Sequence, residues 1–251
     1  MFQLLKYIYG FWLACTFLLT TFAMLFCYLF LFLIPYRYQI IGVYYVNRIF
    51  IYTWSFFVGY FYNIKGNENI KKNLTFVVVS NHINIIDVIS ISVGLRVYAK
   101  PLVKKELIKI PGIGQLFSLM CLTVDRSNKE SRHASMVKML SDLKQGISIF
   151  IFPEGTRNRS NLPLLPFYDG AFELAIKAQV PILPVIQLNT RKLNPNNTLM
   201  FRPGIIELVH LPSIPTIGLT MDNLQELKAK VHAIMSEFIL KNDENFNTNY
   251  S

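Results

Sequence analysis

Apolar and polar positions are spread very unevenly along the chain. From residue 7 to residue 36, "YIYGFWLACTFLLTTFAMLFCYLFLFLIPY" contains no Asp, Glu, Lys, Arg or His. As one helix it would extend roughly 45 Å at about 1.5 Å per residue, beyond the roughly 30 Å hydrocarbon thickness of a bilayer. A cleaved leader would carry an apolar region of about 7–15 residues before a small-residue site; this run is longer and ends in "LIPYRY". The following stretch, "IIGVYYVNRIFIYTWSFFVGYFY", mixes aromatic residues with Arg48. Such a mixture suits the headgroup boundary, where aromatic rings and the long arginine stem are at home. The pattern therefore predicts a membrane-embedded helical hairpin and leaves open whether it crosses.

A polar stretch over residues 63–73, "NIKGNENIKKN", separates this region from a different pattern. Short apolar runs then alternate with amphipathic segments, which is the signature of an α/β domain. The spacing predicts strands over residues 74–79, 96–99, 122–125, 147–152, 182–188 and 199–209, the last interrupted by Pro203-Gly204. Helices are predicted over 83–93, 129–144, 171–179 and 223–240, and the tail "KNDENFNTNYS" is expected to lack structure. The expected architecture is a mixed central sheet flanked by helices (residues 66–251) behind an N-terminal hydrophobic helical membrane-anchoring segment (residues 1–65).

Composition sharpens this picture only slightly. The 52% hydrophobic content of the 251 residues exceeds the usual globular share. Cys15, Cys27 and Cys121 have neither metal-like nor disulfide-like spacing and behave as small apolar residues. A net charge of +10 suits anionic lipid headgroups, phosphorylated ligands or nucleic acid, and charge alone does not choose among them.

Candidate chemistry begins in "SNHINIIDV", residues 80–88. His82 and Asp87 are five residues apart, and on an ideal helix such residues point roughly 140° away from each other. The pair can meet only if His82 lies in the turn before the helix, with Ser80 or Asn81 supplying capping oxygens and Asp87 reaching back to the ring. An imidazole so oriented can take a proton from a hydroxyl near neutral pH. A helix cap beside an incidental histidine is the plainer reading of the same residues. The chain has no "GxSxG" elbow to supply a nucleophile, so the proton would come from a bound substrate hydroxyl.

The second constellation is "IFIFPEGTRNRS", residues 149–160, an apolar strand running into a turn with Glu154, Gly155, Thr156, Arg157 and Arg159. Gly155 permits close backbone approach, and Arg157 can grip a phosphate with its planar fork of donors. A solvated surface turn is the alternative. Lys100, Lys104, Lys105 and Lys109 crowd one segment and could meet phosphates, an acidic protein surface or solvent. His133, His210 and His232 lack neighbouring acid motifs and are expected to be structural or exposed. Asp169 and Glu173 are expected to cap and solvate a helix, and a His82/Asp87/Glu154 metal site lacks a recognisable ligand series.

"NHINIID" and "FPEGTRNRS" together resemble the glycerolipid acyltransferase family. Two further blocks extend the likeness: "VKKELIKIPGIGQLFSLMCLTVDRSN" (103–128), with Met120 where members commonly have glycine, and "VPILPV" (180–185). The resemblance covers residues 76–185 and implies His82 as general base with Asp87 as its orienting partner. It implies Lys105, Arg126, Glu154, Gly155, Thr156 and Arg157 as substrate-binding residues, and Pro184 in a strand lining the acyl pocket. Glu154, being acidic, fits a brace for Arg157 or a substrate hydroxyl better than a phosphate ligand. The implied reaction moves a fatty acyl group from acyl-CoA or acyl carrier protein to the free sn-2 hydroxyl of lysophosphatidic acid, with no metal or other cofactor. Another lysophospholipid or glycerol-3-phosphate as acceptor, or a non-catalytic lipid-binding protein, remains an alternative. The implied partners are membrane lipids, the lysophospholipid and the donor, not nucleic acid. The implied location is the cytoplasmic face of a membrane, in a bacterium the inner one.

Overall fold

The structure is a computed structural model that describes residues 2–31, 33, 35–71, 73–106, 121–125, 128–195 and 201–246. Its N-terminal part is a helical hairpin of α1 (Phe2–Leu31) and α2 (Tyr36–Phe57). Over Leu4–Leu31, α1 is long and apolar enough to cross a bilayer. Polar side chains of the pair find partners in the other helix or in the carbonyls of their own, because an unpaired donor or acceptor in hydrocarbon costs several kcal/mol, of the order of 4–8. Trp54 Nε1 donates to Thr16 Oγ1 at 3.0 Å, and the Tyr28 hydroxyl bonds Asn47 Oδ1. Large apolar side chains such as Phe11, Leu19, Phe22 and Phe57 stay exposed.

Seven strands form one sheet: β1 (Tyr60–Lys65), β2 (Val77–Ser80), β3 (Ala99–Lys104), β4 (Leu122–Val124), β5 (Ser148–Ile151), β6 (Ile182–Leu188) and β7 (Gly204–His210). Their order is β1-β7-β6-β2-β5-β3-β4. All neighbours are parallel except β6 and β7, so β2, β3, β4, β5 and β6 end at one edge. The register of Val79 with both Ile151 and Pro184 sets the carboxyl ends of β2 and β5 at nearly one height, while β6 runs on past Val185, the partner of Ser80, to Leu188. Motifs far apart in sequence thereby meet.

Side-chain alternation along the strands splits the core in two. Phe76, Val78, Phe150, Leu183 and Val185 face α3 (Ile85–Gly94) and the hairpin, where they pack with Trp54 and Val58. Val77, Val79, Ile149, Ile182 and Ile186 face the opposite side. There they meet α4 (Lys129–Lys144), α5 (Gly170–Ala178) and, beyond the short α6 (Thr190–Leu193), α7 (Leu224–Asn242). The buried stripe Leu227, Val231, Met235 and Ile239 recurs every fourth residue, which keeps one face of α7 on the sheet. The hairpin is thus one covering layer of the sheet.

Several expectations shift. Tyr60–Lys65 is the edge strand β1, so the sheet begins before the expected 65/66 boundary; its aromatic residues read as interfacial because only pairing with β7 reveals the strand. β3 runs over Ala99–Lys104, later than the predicted 96–99. The strand interrupted by Pro203-Gly204 begins only at Gly204. β6 is interior, although Pro184 is compatible with an edge or a strand entry. The Pro184 carbonyl accepts from Leu211 N at 2.9 Å, just beyond the β6–β7 pairing, so the missing N–H falls where the ladder has ended. α7 continues to Asn242, and Asp243 is buried in a following turn, so the expected unstructured tail is ordered at least to Phe246.

Lys100 is a further correction, since it is not available to a phosphate. Its Nζ lies 2.9 Å from Asp142 Oδ1, with side-chain exposures of 6% and 9%, tying β3 to α4. Removing one member of such a pair leaves an uncompensated buried charge, at a cost of about 3–5 kcal/mol. Lys100→Met should lose about that much in unfolding experiments on the full chain in detergent. Lys100→Met with Asp142→Leu should recover most of it.

Candidate active site

The local sequence explains how a histidine and an aspartate five residues apart can meet. Asn84 is the N-cap of α3: its side chain accepts from Ile86 N at 2.8 Å. The cap is therefore neither Ser80 nor Asn81, because those residues are engaged with β6. Asp87, in the first turn, reaches back so that Oδ2 accepts from Asn84 N at 2.7 Å and from Ile83 N. The same oxygen lies 3.1 Å from His82 Nδ1. The helix cap and the oriented histidine are therefore one device. The carboxylate that closes the first turn also holds the ring, in the position where a helix favours negative charge.

Asp87 is fully buried, whereas the His82 side chain keeps 15% of its surface accessible. The imidazole stacks on Phe152 with centroids 4.0 Å apart and planes 16° from parallel. Phe152 meets Phe150 edge to face at 4.8 Å. Phe150 in turn lines a cavity of about 100 Å³ under the hairpin, with Tyr44, Ile91, Leu95 and Tyr98 among its walls. Pro184 is not among them. An aromatic path thus leads from the histidine to an apolar cavity on the hairpin side of the sheet.

The loop after β5 is strapped to the same turn. Glu154, 2% exposed, accepts from His82 N through Oε1 and from Leu165 N through Oε2, both at 2.8 Å. Asn158 N donates to the His82 carbonyl at 2.6 Å. Gly155 adopts a φ of 70°, which a side-chain-bearing residue would adopt only under strain, and its N–H closes the turn on Phe152 O at 3.0 Å. Glu154, grouped by resemblance with the substrate-binding residues, has both oxygens committed to backbone donors. Its geometry is that of a brace for the His82 turn. Burial pushes its carboxyl up to about 7; the two backbone donors pull the other way, and the nearby Asp87 adds to the rise.

The remaining predicted residues have different settings. Thr156 is exposed and Arg157 partly so, both on the loop that begins at β5's carboxyl end. Lys105 is exposed just past β3, the strand beside β5. Arg126, Lys109 and Met120 lie outside the described residues. Asp169 pairs with Lys228 at 2.6 Å, whose ammonium holds its carboxyl below the ordinary value, and Glu173 pairs with Lys177. His133 is exposed, His232 packs edge to face on Phe167, and buried His210 lies 3.1 Å from the Lys65 carbonyl through Nδ1.

Sequence reasoning passed over Phe152, Asn158 and Gln187. The last had a visible signal, an amide inside the otherwise apolar strand "ILPVIQL". The other two reveal their roles only through contacts across the sheet edge.

Residues 62–187 match the family model described as Acyltransferase. The 1-acyl-sn-glycerol-3-phosphate acyltransferase of Escherichia coli K12 is 36% identical over 169 residues, 66% of this chain and 67% of that protein. The human alpha form is 30% identical over 196 residues, 77% of this chain and 69% of its own length. The crystal structure of the 1-acyl-sn-glycerophosphate acyltransferase of Thermotoga maritima superposes with a TM-score of 0.78, at 25% identity and 95% coverage of both chains. With its histidine and aspartate joined at the carboxyl edge of the sheet and the family match spanning both motifs, this chain belongs to the Acyltransferase family.

Proposed function

We propose that the protein transfers a fatty acyl group from a thioester donor, acyl-CoA or acyl carrier protein, to the free sn-2 hydroxyl of lysophosphatidic acid, giving phosphatidic acid. The observation that carries this reading is the His82–Asp87 pair, at the sheet edge where parallel α/β folds bind ligands. Asp87 engages Nδ1, which leaves Nε2 to accept the hydroxyl proton. The freed oxygen attacks the thioester carbonyl and forms a tetrahedral oxyanion. Collapse of that intermediate breaks the carbon–sulfur bond, and the departing thiolate recovers the proton from the imidazolium. The thioester is already activated, so the step calls on no metal or redox group. Gly155, Thr156 and Arg157, with Lys105 just past β3 and, by the family resemblance, Arg126, would meet the acceptor's phosphate, and Arg suits a planar, two-pronged grip.

The hairpin supports a membrane location for the same reaction. Acceptor and product keep their chains in lipid while the donor arrives from water, so catalysis belongs at the interface. Anchoring would fall to residues 1–65, with β1 tying them into the sheet, and catalysis to residues 66–251 on the cytoplasmic side, in a bacterium that of the inner membrane. The test is direct: the purified full chain, reconstituted in vesicles, is given lysophosphatidic acid and a labelled acyl thioester. Labelled phosphatidic acid is the expected product. Free fatty acid alone would mean hydrolysis, and binding without turnover would mean a lipid-binding protein; either outcome overturns the proposal.

A further inference from the structure

We infer that Gln187 is a positioning residue for this reaction, holding His82 and Asp87 from behind through one buried amide; the inference rests on the proposed acyl transfer. In β6, Leu183 and Val185 face α3, and Gln187 continues that row with no accessible surface. Its backbone N–H donates to Asn81 Oδ1 at 2.8 Å, and its carbonyl accepts from Asn81 Nδ2 at 2.9 Å. The residue preceding His82 is therefore locked to β6 by a two-point clasp. The side chain makes the second connection: Nε2 donates to Ser80 Oγ at 3.1 Å, and Oε1 accepts from Ser90 Oγ.

Ser80 lies two residues before His82, and Ser90 lies three residues after Asp87, one turn further along α3. The two arms of the catalytic turn thus converge on a single side chain. An apolar residue would fill the position more simply, and the strand is apolar on either side. What the amide adds is a fixed spacing between the end of β2, which sets the imidazole, and the start of α3, which sets the carboxylate. Neither serine touches the reacting groups, so the effect on chemistry must pass through geometry. Displacements of about 1 Å cost on the order of a hundredfold in rate.

The test compares two variants of the full chain in vesicles. Gln187→Met keeps the length of the side chain and removes both side-chain hydrogen bonds. Its kcat should fall at least about tenfold, with both Michaelis constants within about twofold of the unchanged protein. It should also melt at a lower temperature, because Ser80 and Ser90 each lose a buried partner and keep only the longer bonds to Asn81 and to the Asp87 carbonyl. Ser80→Ala and Ser90→Ala added to Gln187→Met replace all the partners by apolar groups and should restore the melting temperature while kcat stays low. If kcat recovers along with melting, the amide merely satisfies buried hydroxyls and the inference fails. It fails equally if folded Gln187→Met turns over normally. A wild-type protein that transfers no acyl group would instead overturn the underlying reaction, so the two failures are distinguishable.

Discussion

Replacing His82 by alanine is expected to lower acyl transfer at least about a thousandfold, within the range by which a positioned general base accelerates proton transfer. The reason is specific to this turn. No other histidine among the described residues lies on an acid: His133 is exposed, His210 faces the Lys65 carbonyl, and His232 packs on Phe167. The backbone around position 82 should survive the change. Its N–H is held by Glu154 and its carbonyl by Asn158 N, and the α3 cap depends on Asn84 and Asp87, none of which needs the imidazole. The variant should therefore sediment with vesicles as the unchanged protein does, because the exposed apolar side chains of α1 and α2 are untouched. Near-normal turnover by His82→Ala would remove the general base from the mechanism. Loss of vesicle binding would tie the histidine to anchoring instead.

Glu154→Gln is expected to reduce kcat by about a hundredfold, again by displacing the His82 turn. Gln offers one oxygen where the carboxylate offers two, so its amide nitrogen must face either His82 N or Leu165 N, donor against donor. The same substitution has a signature in stability. Burial raises this carboxyl from 4.5 to about 7, so the folded protein keeps the proton over a range in which the unfolded chain has lost it. Its contribution is complete below about pH 4.5 and fades as the pH climbs through about 7, a change on the order of 3 kcal/mol. The stability of the unchanged protein relative to Glu154→Gln should therefore decline from pH 5 to pH 8 in parallel melting series, about as far as that shift allows. A difference that is flat or rises with pH would mean that burial does not dominate at Glu154.

The elements most legible in the sequence are those whose signal is local. The apolar run 182–188 and the amphipathic period over 129–144 coincide with β6 and α4, because each carries its own signal. The hairpin is legible for the same reason: thirty residues without Asp, Glu, Lys, Arg or His have few soluble alternatives. β1 is not, because "YFYNIK" becomes a strand only when β7 pairs with it. Lys100 read as a free cation because nothing nearby in sequence reveals Asp142, 42 residues on.

Short-range order of residue types was enough for the two motifs, the histidine–aspartate pairing, the α/β class and the apolar hairpin. The tertiary structure alone decided that Glu154 braces the His82 turn, that Lys100 is spent on an internal ion pair, and that a cavity opens under the hairpin beside Phe150. It also decided that Gln187 spans both arms of the site. The physical reason is common to all of these. Each depends on which elements the sheet brings side by side, and parallel pairing in particular joins residues about a hundred positions apart through contacts that no local pattern encodes.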